Sequence, residues 1–541
     1  YSSTMTIRVK HIIGDTIEFF FNPQEDDLRV GENLWVGETH RQRGVIVQII
    51  EFRTLPTPPL WQELPYLTLA HRSTTESPFS GQEALRASHA GNMAHVAIAK
   101  IRRRTDPGWR QWDGWIPGPD AVATRMTDEE VLRQCVPISG NPLRLGRTLA
   151  GEPFSIEGST LGQVNIIAEG KDARALQLAA VMLRELMNRG APCVVFDSTG
   201  ELSQLSRREL HVAPRKASLP QVIHLQVGRN LRLDPQQMGT GPLLTLLTGF
   251  GLPRLLAMSY AGDPARVIEP LRHLEETSQQ SALPTFDNLT PRTPEFKSAE
   301  HEMIYGAFLS CLQAVQGTGL LASHASEAAS LGESYEKIRH GGALMIDISG
   351  LPNRARPGAV QACIEIIQGL ETALPHEVQR FPLLFFEKAH LYLDSNMLGD
   401  LVGRGRPLGM TMMVLTDMVD SLDDTILRQA ENLFILGSIS DEAVQRLGKI
   451  GLTDRESLHS LVQRLQGQQS LLVGAATKQY PLIFEVETIE GGDELVAPRR
   501  YFRPRRLHDS PSSLPPAKDT TLPLFPEEEP ALADPFAPSP P

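Results

Sequence analysis

The sequence predicts an α/β protein whose main domain is a parallel sheet, with a small antiparallel β-barrel before it and a Pro-rich tail after it. Three observations carry this expectation. Residues 164–197 read strand, helix, strand; short apolar runs of strand length recur down the chain; and residues 6–52 alternate apolar and polar positions between Gly turns. At 541 residues the chain is too long for one core.

The N-terminal alternation places Ile17, Phe19 and Phe21 on one face, then Leu34-Trp35-Val36, then Val45, Val47 and Ile49, punctuated by Gly14, Gly31, Gly37 and Gly44. This reads as the barrel, with Ser73 to Ser80 as an exposed loop and an end near Ile116-Pro117-Gly118-Pro119. From residue 142 the pattern changes. Val164 to Ile167 is an apolar strand, and Leu176, Ala179, Leu183, Leu186 and Met187 then fall on one helical face. Gly190 stops that helix, and Cys193-Val194-Val195-Phe196 is the next strand, ending at Asp197. A βαβ unit of this length predicts parallel pairing. Further buried strands are expected at 343–348, 383–386, 412–415, 433–436 and 471–473. The domain plan is therefore 1–118 barrel and connection, 119–237 first part of the sheet domain, 238–335 an inserted helical subdomain, 336–507 second part of the sheet domain, and 508–541 a disordered acidic tail. The tail's patches Leu522-Pro523-Leu524-Phe525 and Asp534-Pro535-Phe536 read as linker or as docking peptides.

Composition narrows the classes. The net charge of −12 argues against a protein coated in basic surface, though a few inward Lys and Arg could still set the field inside a ring. No run of about 18 apolar residues offers a membrane span, and no charged-then-apolar leader is visible. Cys135, Cys193, Cys311 and Cys363 form no C-x-x-C pair and read as buried thiols of a reducing cytoplasm. No Cys/His cluster has zinc spacing, and no Gly-x-Ser-x-Gly nucleophile motif occurs.

Residues 383–390 are the most informative octet: Leu-Leu-Phe-Phe-Glu-Lys-Ala-His. An apolar run ending in an acid, followed by Ala389-His390, resembles the Walker B strand of the HerA/FtsK class of ring ATPases, which reads Asp-Glu-Ala-His. Other pieces stand in the same order. Leu145-Gly146-Arg147 and Pro153-Phe154-Ser155 are similar to the family's lead-in to its P-loop strand. Val195-Phe196-Asp197-Ser198-Thr199-Gly200-Glu201 resembles its Asp-x-x-Gly-Glu turn, and Ile346-Asp347-Ile348-Ser349-Gly350-Leu351 another strand signature. Gly403-Arg404-Gly405-Arg406, with a strand ending at Thr416, looks like the segment before its sensor Gln. The chain thus resembles the HerA-like branch up to about residue 500. That resemblance implies a RecA-like P-loop sheet domain, a HAS-type barrel, a homohexamer with a central channel, ATP and Mg²⁺ as cofactors, duplex DNA as substrate, and a nuclease or other effector on the barrel face.

The motifs depart from the family where its chemistry lies. A Walker A loop, G-x-x-x-x-G-K-[ST], cradles phosphate with backbone N–H groups, a Lys and a hydroxyl. The equivalent octet is Ala168-Glu169-Gly170-Lys171-Asp172-Ala173-Arg174-Ala175. Arg174 stands at the Lys position and Ala175 at the hydroxyl position; Gly170-Lys171 is a Gly-Lys pair set three residues early. Either the loop is degenerate, or Lys171 has rescued it in a shifted register. At Walker B, Glu387 replaces the metal-ordering Asp and remains the one carboxylate there that could serve Mg²⁺. Lys388 replaces the water-positioning acid, leaving it to pair with Glu387 or to touch phosphate; Asp417 replaces the sensor Gln. His390 reads as structural. Arg404 and Arg406 are candidates for an arginine reaching a neighbouring subunit, either to its nucleotide or to a carboxylate across the interface.

Arg102-Arg103-Arg104, with Trp109, Arg110, Trp112 and Trp115 close behind, is the densest basic-aromatic patch and the candidate nucleic-acid contact. Against it stands the reading that these tryptophans pack between domains. A second basic cluster runs from Arg499 to Arg506. Three functions are carried forward: a HerA-like ring with a degraded ATP site, serving as DNA-threading ring or scaffold; an active ATP-driven duplex translocase; and a protein-interaction scaffold with no nucleic acid.

Overall fold

The computed structural model describes residues 8–23, 26–38, 43–56, 93–106, 108–118, 121–170, 175–204, 221–252, 310–311, 313–322 and 325–489. Two compact units divide the chain at Val496, and every described residue lies in the first. Lys171, Arg174, residues 253–309, the Arg499–Arg506 cluster and the tail lie outside the described residues.

Seven N-terminal strands form one antiparallel sheet: β1 (Arg8–Ile13), β2 (Thr16–Phe20), β3 (Asn33–Glu38), β4 (Arg43–Pro56), β5 (Met93–Thr105), β6 (Trp109–Gln111) and β7 (Val122–Arg125). Their order is β1-β2-β5-β4-β3-β7, with β6 on β5; among the described residues no pairing joins β1 to β7. The expected alternation is the core here: Ile17, Phe19, Leu34, Val36, Val45, Val47 and Ile49 are buried together. Ile46, on the opposite face of β4, is equally buried but belongs to the core of the main domain. The long strands β4 and β5 thus serve two layers, which is why their apolar residues are not confined to alternate positions. The sheet also takes β7, past the expected end at residue 118, because Val122–Arg125 pairs with β3.

Eleven strands form the main sheet: β8 (Pro142–Thr148), β9 (Pro153–Glu157), β10 (Val164–Glu169), β11 (Pro192–Asp197), β12 (Gln221–Gln226), β13 (Gly342–Asp347), β14 (Leu383–Phe386), β15 (Thr411–Thr416), β16 (Asn432–Leu436), β17 (Gln469–Gly474) and β18 (Leu482–Val486). The order is β12-β13-β11-β14-β15-β10-β16-β17-β18-β8-β9. Strands from β12 to β16 run parallel; β17, β18, β8 and β9 continue antiparallel. Alternate residues go to opposite faces: Ile166, Phe196 and Phe386 join one apolar layer, Ile167, Val195 and Phe385 the other. Burial on both faces explains why these strands read as continuous apolar runs.

The Ala175–Asn188 helix differs from expectation. It is buried nearly all round, while Leu176, placed on the apolar face by periodicity, is only half-buried. The helix lies against β8, β10, β11 and β13 within one apolar layer, so it has no broad solvent face. Gly190 ends it at φ +80°, a conformation glycine adopts without strain. Within the expected helical insertion, the Thr240–Gly249 and Ala325–Ile338 helices contribute Leu246, Leu247, Leu331, Tyr335 and Ile338 to the sheet's own core. Both belong to the sheet domain's covering layer.

The two sheets are joined by specific contacts. Gln48 on β4 donates to the Pro481 carbonyl at 2.9 Å, and Tyr480 donates to Asn33 Oδ1 at 2.6 Å. Lys100 on β5 sits 2.9 Å from both Asp15 and Glu456. The four cysteines are buried and free.

Candidate functional site

In an open parallel sheet, ligands bind outside the carboxyl ends of the strands, where the order reverses. Here β10 lies between β15 and β16, two strands later in the chain. At that edge β10, β11 and β13 end on Glu169, Asp197 and Asp347, while Glu387 and Asp417 immediately follow β14 and β15. A site for phosphate would be lined with donors and cations; this edge is lined with carboxylates.

Asp197 is satisfied locally, accepting from the backbone N–H groups of Thr199, Gly200 and Ser203 at 2.6–3.2 Å. Glu387 is buried at 2% exposure. It accepts from the Ser198 N–H at 3.0 Å and from the Ser198 hydroxyl, through the same Oε2. Burial, and then the charge on Asp197, push its carboxyl up to about 7, against the Ser198 bonds and Lys388.

Lys388 turns the other way. Its backbone is left-handed, φ 47° and ψ 49°, a conformation costing a non-glycine residue about 1–3 kcal/mol. Its Nζ donates to Asp417 Oδ2 at 2.7 Å. Burial works against the ammonium, yet the bond to Asp417 and the charges on Asp417, Glu387 and Glu169 raise its pKa, so it is held as a cation. The same pairing lowers Asp417 against the effect of its burial. Pairing with Glu387, one of the two uses expected of Lys388, is not made: Glu387 bonds to Ser198, just after β11, and Lys388 to Asp417, just after β15, and these strands flank β14 on opposite sides. The Nδ1 of His390 lies 3.0 Å from Thr416 Oγ1 and 3.6 Å from Asp417, and burial holds its pKa down.

Glu169 closes the group. It ends β10 and is half-buried. Burial pushes this carboxyl to about 7; the backbone N–H of Ala175 and the charge on Lys388 oppose the shift, while Asp417 and Glu387 add to it. Gly170 beside it donates its N–H to the Leu436 carbonyl at 2.7 Å. Glu169, Glu201, Glu387, Lys388 and Asp417 line a cavity of about 120 Å³. Glu169, Gly170, Lys388 and Asp417 also line a second of about 610 Å³ that reaches Ser438 and Ser440.

Among the described residues four carboxylates line the smaller cavity, and the lysine beside them, Lys388, is already paired. No three or more His, Cys, Asp or Glu side chains of the described residues are so placed that they could hold a metal ion. Ala175 supplies a backbone N–H and no hydroxyl.

The other candidates lie apart from this cavity. Arg404 and Arg406, at the end of the Ser395–Gly405 helix, are exposed, with Arg404 3.8 Å from Glu365. Arg102 is nearly buried, donating to Gln48 Oε1 at 3.1 Å and Asp454 Oδ2 at 2.8 Å. Arg103 donates to the Lys478 and Arg102 carbonyls, and Arg104 is paired with Asp113 and Asp106. The guanidinium of Arg43 lies 4.4 Å and that of Arg104 5.8 Å from the Trp115 ring centroid. Arg102, Arg103 and Arg104 are engaged within the chain, while Trp109 packs against the main domain's core and Trp112 and Trp115 against that of the N-terminal sheet. Sequence reasoning missed Ser198 as the partner of Glu387 and Asp417 as that of Lys388. The acid at strand end after strand end was the available signal.

A pH dependence follows from this cluster. Glu169 and Glu387 have folded pKa values of about 7, above the ordinary 4.5. A raised carboxyl contributes stability that is present in full below 4.5 and lost as pH rises through 7. The groups facing Glu387 are Asp197, Ser198 and Lys388, with Tyr392 nearby. Glu387→Gln keeps an oxygen acceptor without the charge. Its unfolding midpoint, relative to wild type, is expected to rise between about pH 5 and about pH 8. A difference that does not change with pH would contradict the buried-charge account.

No family model matches the chain, and no curated protein matches it. Among solved structures it is similar to the bacterial conjugative coupling protein TrwBdeltaN70, at 15% identity and a TM-score of 0.46 over 67% of this chain and 92% of that one. It is similar to VirB4 of Thermoanaerobacter pseudethanolicus, at 12% identity and 0.42 over 66% of this chain and 100% of that one. A smaller likeness is to the genome packaging NTPase B204 from Sulfolobus turreted icosahedral virus 2 in complex with AMPPCP, at 11% identity and 0.22 over 28% of this chain and 71% of that one. Likenesses this slight carry no argument about what the chain does.

Proposed function

We infer that the chain is a subunit of a HerA-like homohexameric ring whose ATP site is degraded, acting in DNA processing as a threading ring or as a scaffold for a nuclease or other effector. One observation carries this reading. The position that would hold the water-positioning carboxylate is Lys388, and its ammonium is held by Asp417 at 2.7 Å. A cation fixed in an ion pair cannot accept a proton from water or aim it at phosphorus. ATP and Mg²⁺ as ligands would then depend on Lys171, Arg174 and Glu387. A cytoplasmic location is part of the proposal; among the described residues no helix is long and apolar enough to cross a membrane.

A second reading, a scaffold that touches no nucleic acid, is favoured by the in-chain partners of Arg102, Arg103 and Arg104. Native mass and duplex binding separate the two. The first reading expects a hexameric mass and a duplex affinity that falls steeply between about 50 and 200 mM salt, as phosphate contacts release counterions. A hexamer that binds no duplex at low salt would favour the scaffold, and a monomer that binds none would sink the ring.

A further inference from the structure

We propose that the turn between β17 and β18, residues 475–481, is a strained catch that seats the N-terminal sheet on the main sheet, and that opening it lets the N-terminal sheet leave its seat while the main sheet stays folded.

The chain at this turn is bent against its own preference. The Tyr480 N–H donates to the Thr477 carbonyl at 3.0 Å, closing a four-residue turn. Both central residues are left-handed, Lys478 at φ 49° and ψ 41° and Gln479 at φ 61°. Such a turn suits Asn-Gly, because a Cβ is crowded at positive φ. Among the described residues the only other non-glycine at positive φ is Lys388. Backbone of this kind persists where its surroundings over-determine it.

Here the surroundings act from two sides. From the main sheet, the Ala475 N–H donates to the Glu431 carbonyl at 2.9 Å, and the Ala476 N–H to Asn432 Oδ1 at 2.8 Å. From the N-terminal sheet, Arg103 donates to the Lys478 carbonyl and Gln48 to the Pro481 carbonyl, while Asn33 accepts from the Tyr480 hydroxyl. The Lys478 ammonium reaches the Gln134 carbonyl at 3.0 Å. That carbonyl lies in the last turn of the Asp128–Cys135 helix, which links the two sheets, and a cation suits a helix end. Lys478, Tyr480 and Pro481 therefore tie down β3, β4, β5 and the linking helix. The bonds that hold the strain are the bonds that seat the sheet, so releasing one releases the other. The seam also carries ion pairs, Lys100 with Glu456 and Arg102 with Asp454, and seams with such polar contacts permit relative motion.

The test is the alkylation rate of Cys135 in the folded full chain at about pH 8, read by peptide mass spectrometry. Cys135 is 1% exposed, ends the linking helix and shares an apolar layer with Ile46 and Tyr480, so reagent reaches it when the seam opens. Cys193, inside β11 and 0% exposed, reports opening of the main sheet and is expected to react more slowly in the wild type. Gln479, whose side chain is exposed, can lose its strain without losing a bond to the N-terminal sheet. Gln479→Gly is expected to slow Cys135 alkylation about fivefold. Tyr480→Phe keeps the ring, loses the bond to Asn33 and leaves the linking helix untouched; it is expected to speed the reaction about tenfold. Unchanged or faster reaction in Gln479→Gly would mean that the turn stores no strain. No acceleration in Tyr480→Phe would mean that the linking helix frays by itself. Equal wild-type rates at Cys135 and Cys193 would mean that the seam opens only when the whole chain unfolds. Each of these three results would overturn the catch.

Discussion

Arg102→Ala is expected to destabilise the chain by about 2 kcal/mol while leaving duplex affinity unchanged. The guanidinium is 9% exposed and joins β5 to Asp454, which caps the Arg455–Val462 helix. Removing it leaves Asp454 without its cation in a partly buried setting, and Gln48 loses the donor to its Oε1. The loss is smaller than for a fully buried pair for two reasons: Asp454 keeps its bonds from Ser457, and one guanidinium nitrogen of Arg102 is itself buried without a partner. Urea unfolding would read the stability term. If Arg102 gripped a phosphate instead, the slope of log affinity against log salt would fall by about 0.9 in the variant and stability would barely move. That pattern would restore the basic patch to its nucleic-acid role.

Much of the fold was legible because burial leaves a mark on sequence. β10, β11, β13, β14, β15 and β16 are buried on both faces and read as apolar runs, so their positions were expected within a few residues. β12 was missed because Gln221–Gln226 is an edge strand, mostly half-exposed, with Gln at both ends. β8 alternates, with Leu143 and Leu145 buried between exposed Arg144 and Arg147, but Gly146 and a register shift break the period. At the site, Glu387 and Lys388 were visible as departures from a pattern. What each does was not, because the Lys388–Asp417 pair spans 29 residues and exists only since β14 and β15 are neighbours. Negative charge at Glu169 was evident in sequence; its place beside Glu387, Lys388 and Asp417 in one cavity depends on the order of the strands. Arg102-Arg103-Arg104 misleads for the opposite reason. A run of like charges reads as surface, but its acceptors, Asp454, the Lys478 carbonyl and Asp113, lie on other segments.

The largest effect expected is on ATP turnover. Loss of a positioned base costs on the order of 10²–10⁴ in rate. On the reading proposed above a paired lysine stands in its place, and Glu387, the acid before it, has one oxygen committed to Ser198. The measurement that tests this most directly is steady-state ATP hydrolysis by the purified chain, with and without duplex DNA, beside Lys171→Ala and Arg174→Ala. The account predicts background turnover in all three proteins, whether or not DNA is present. Turnover stimulated by DNA in the wild type and abolished by either substitution would contradict it, and would mean a working motor with a rebuilt phosphate loop.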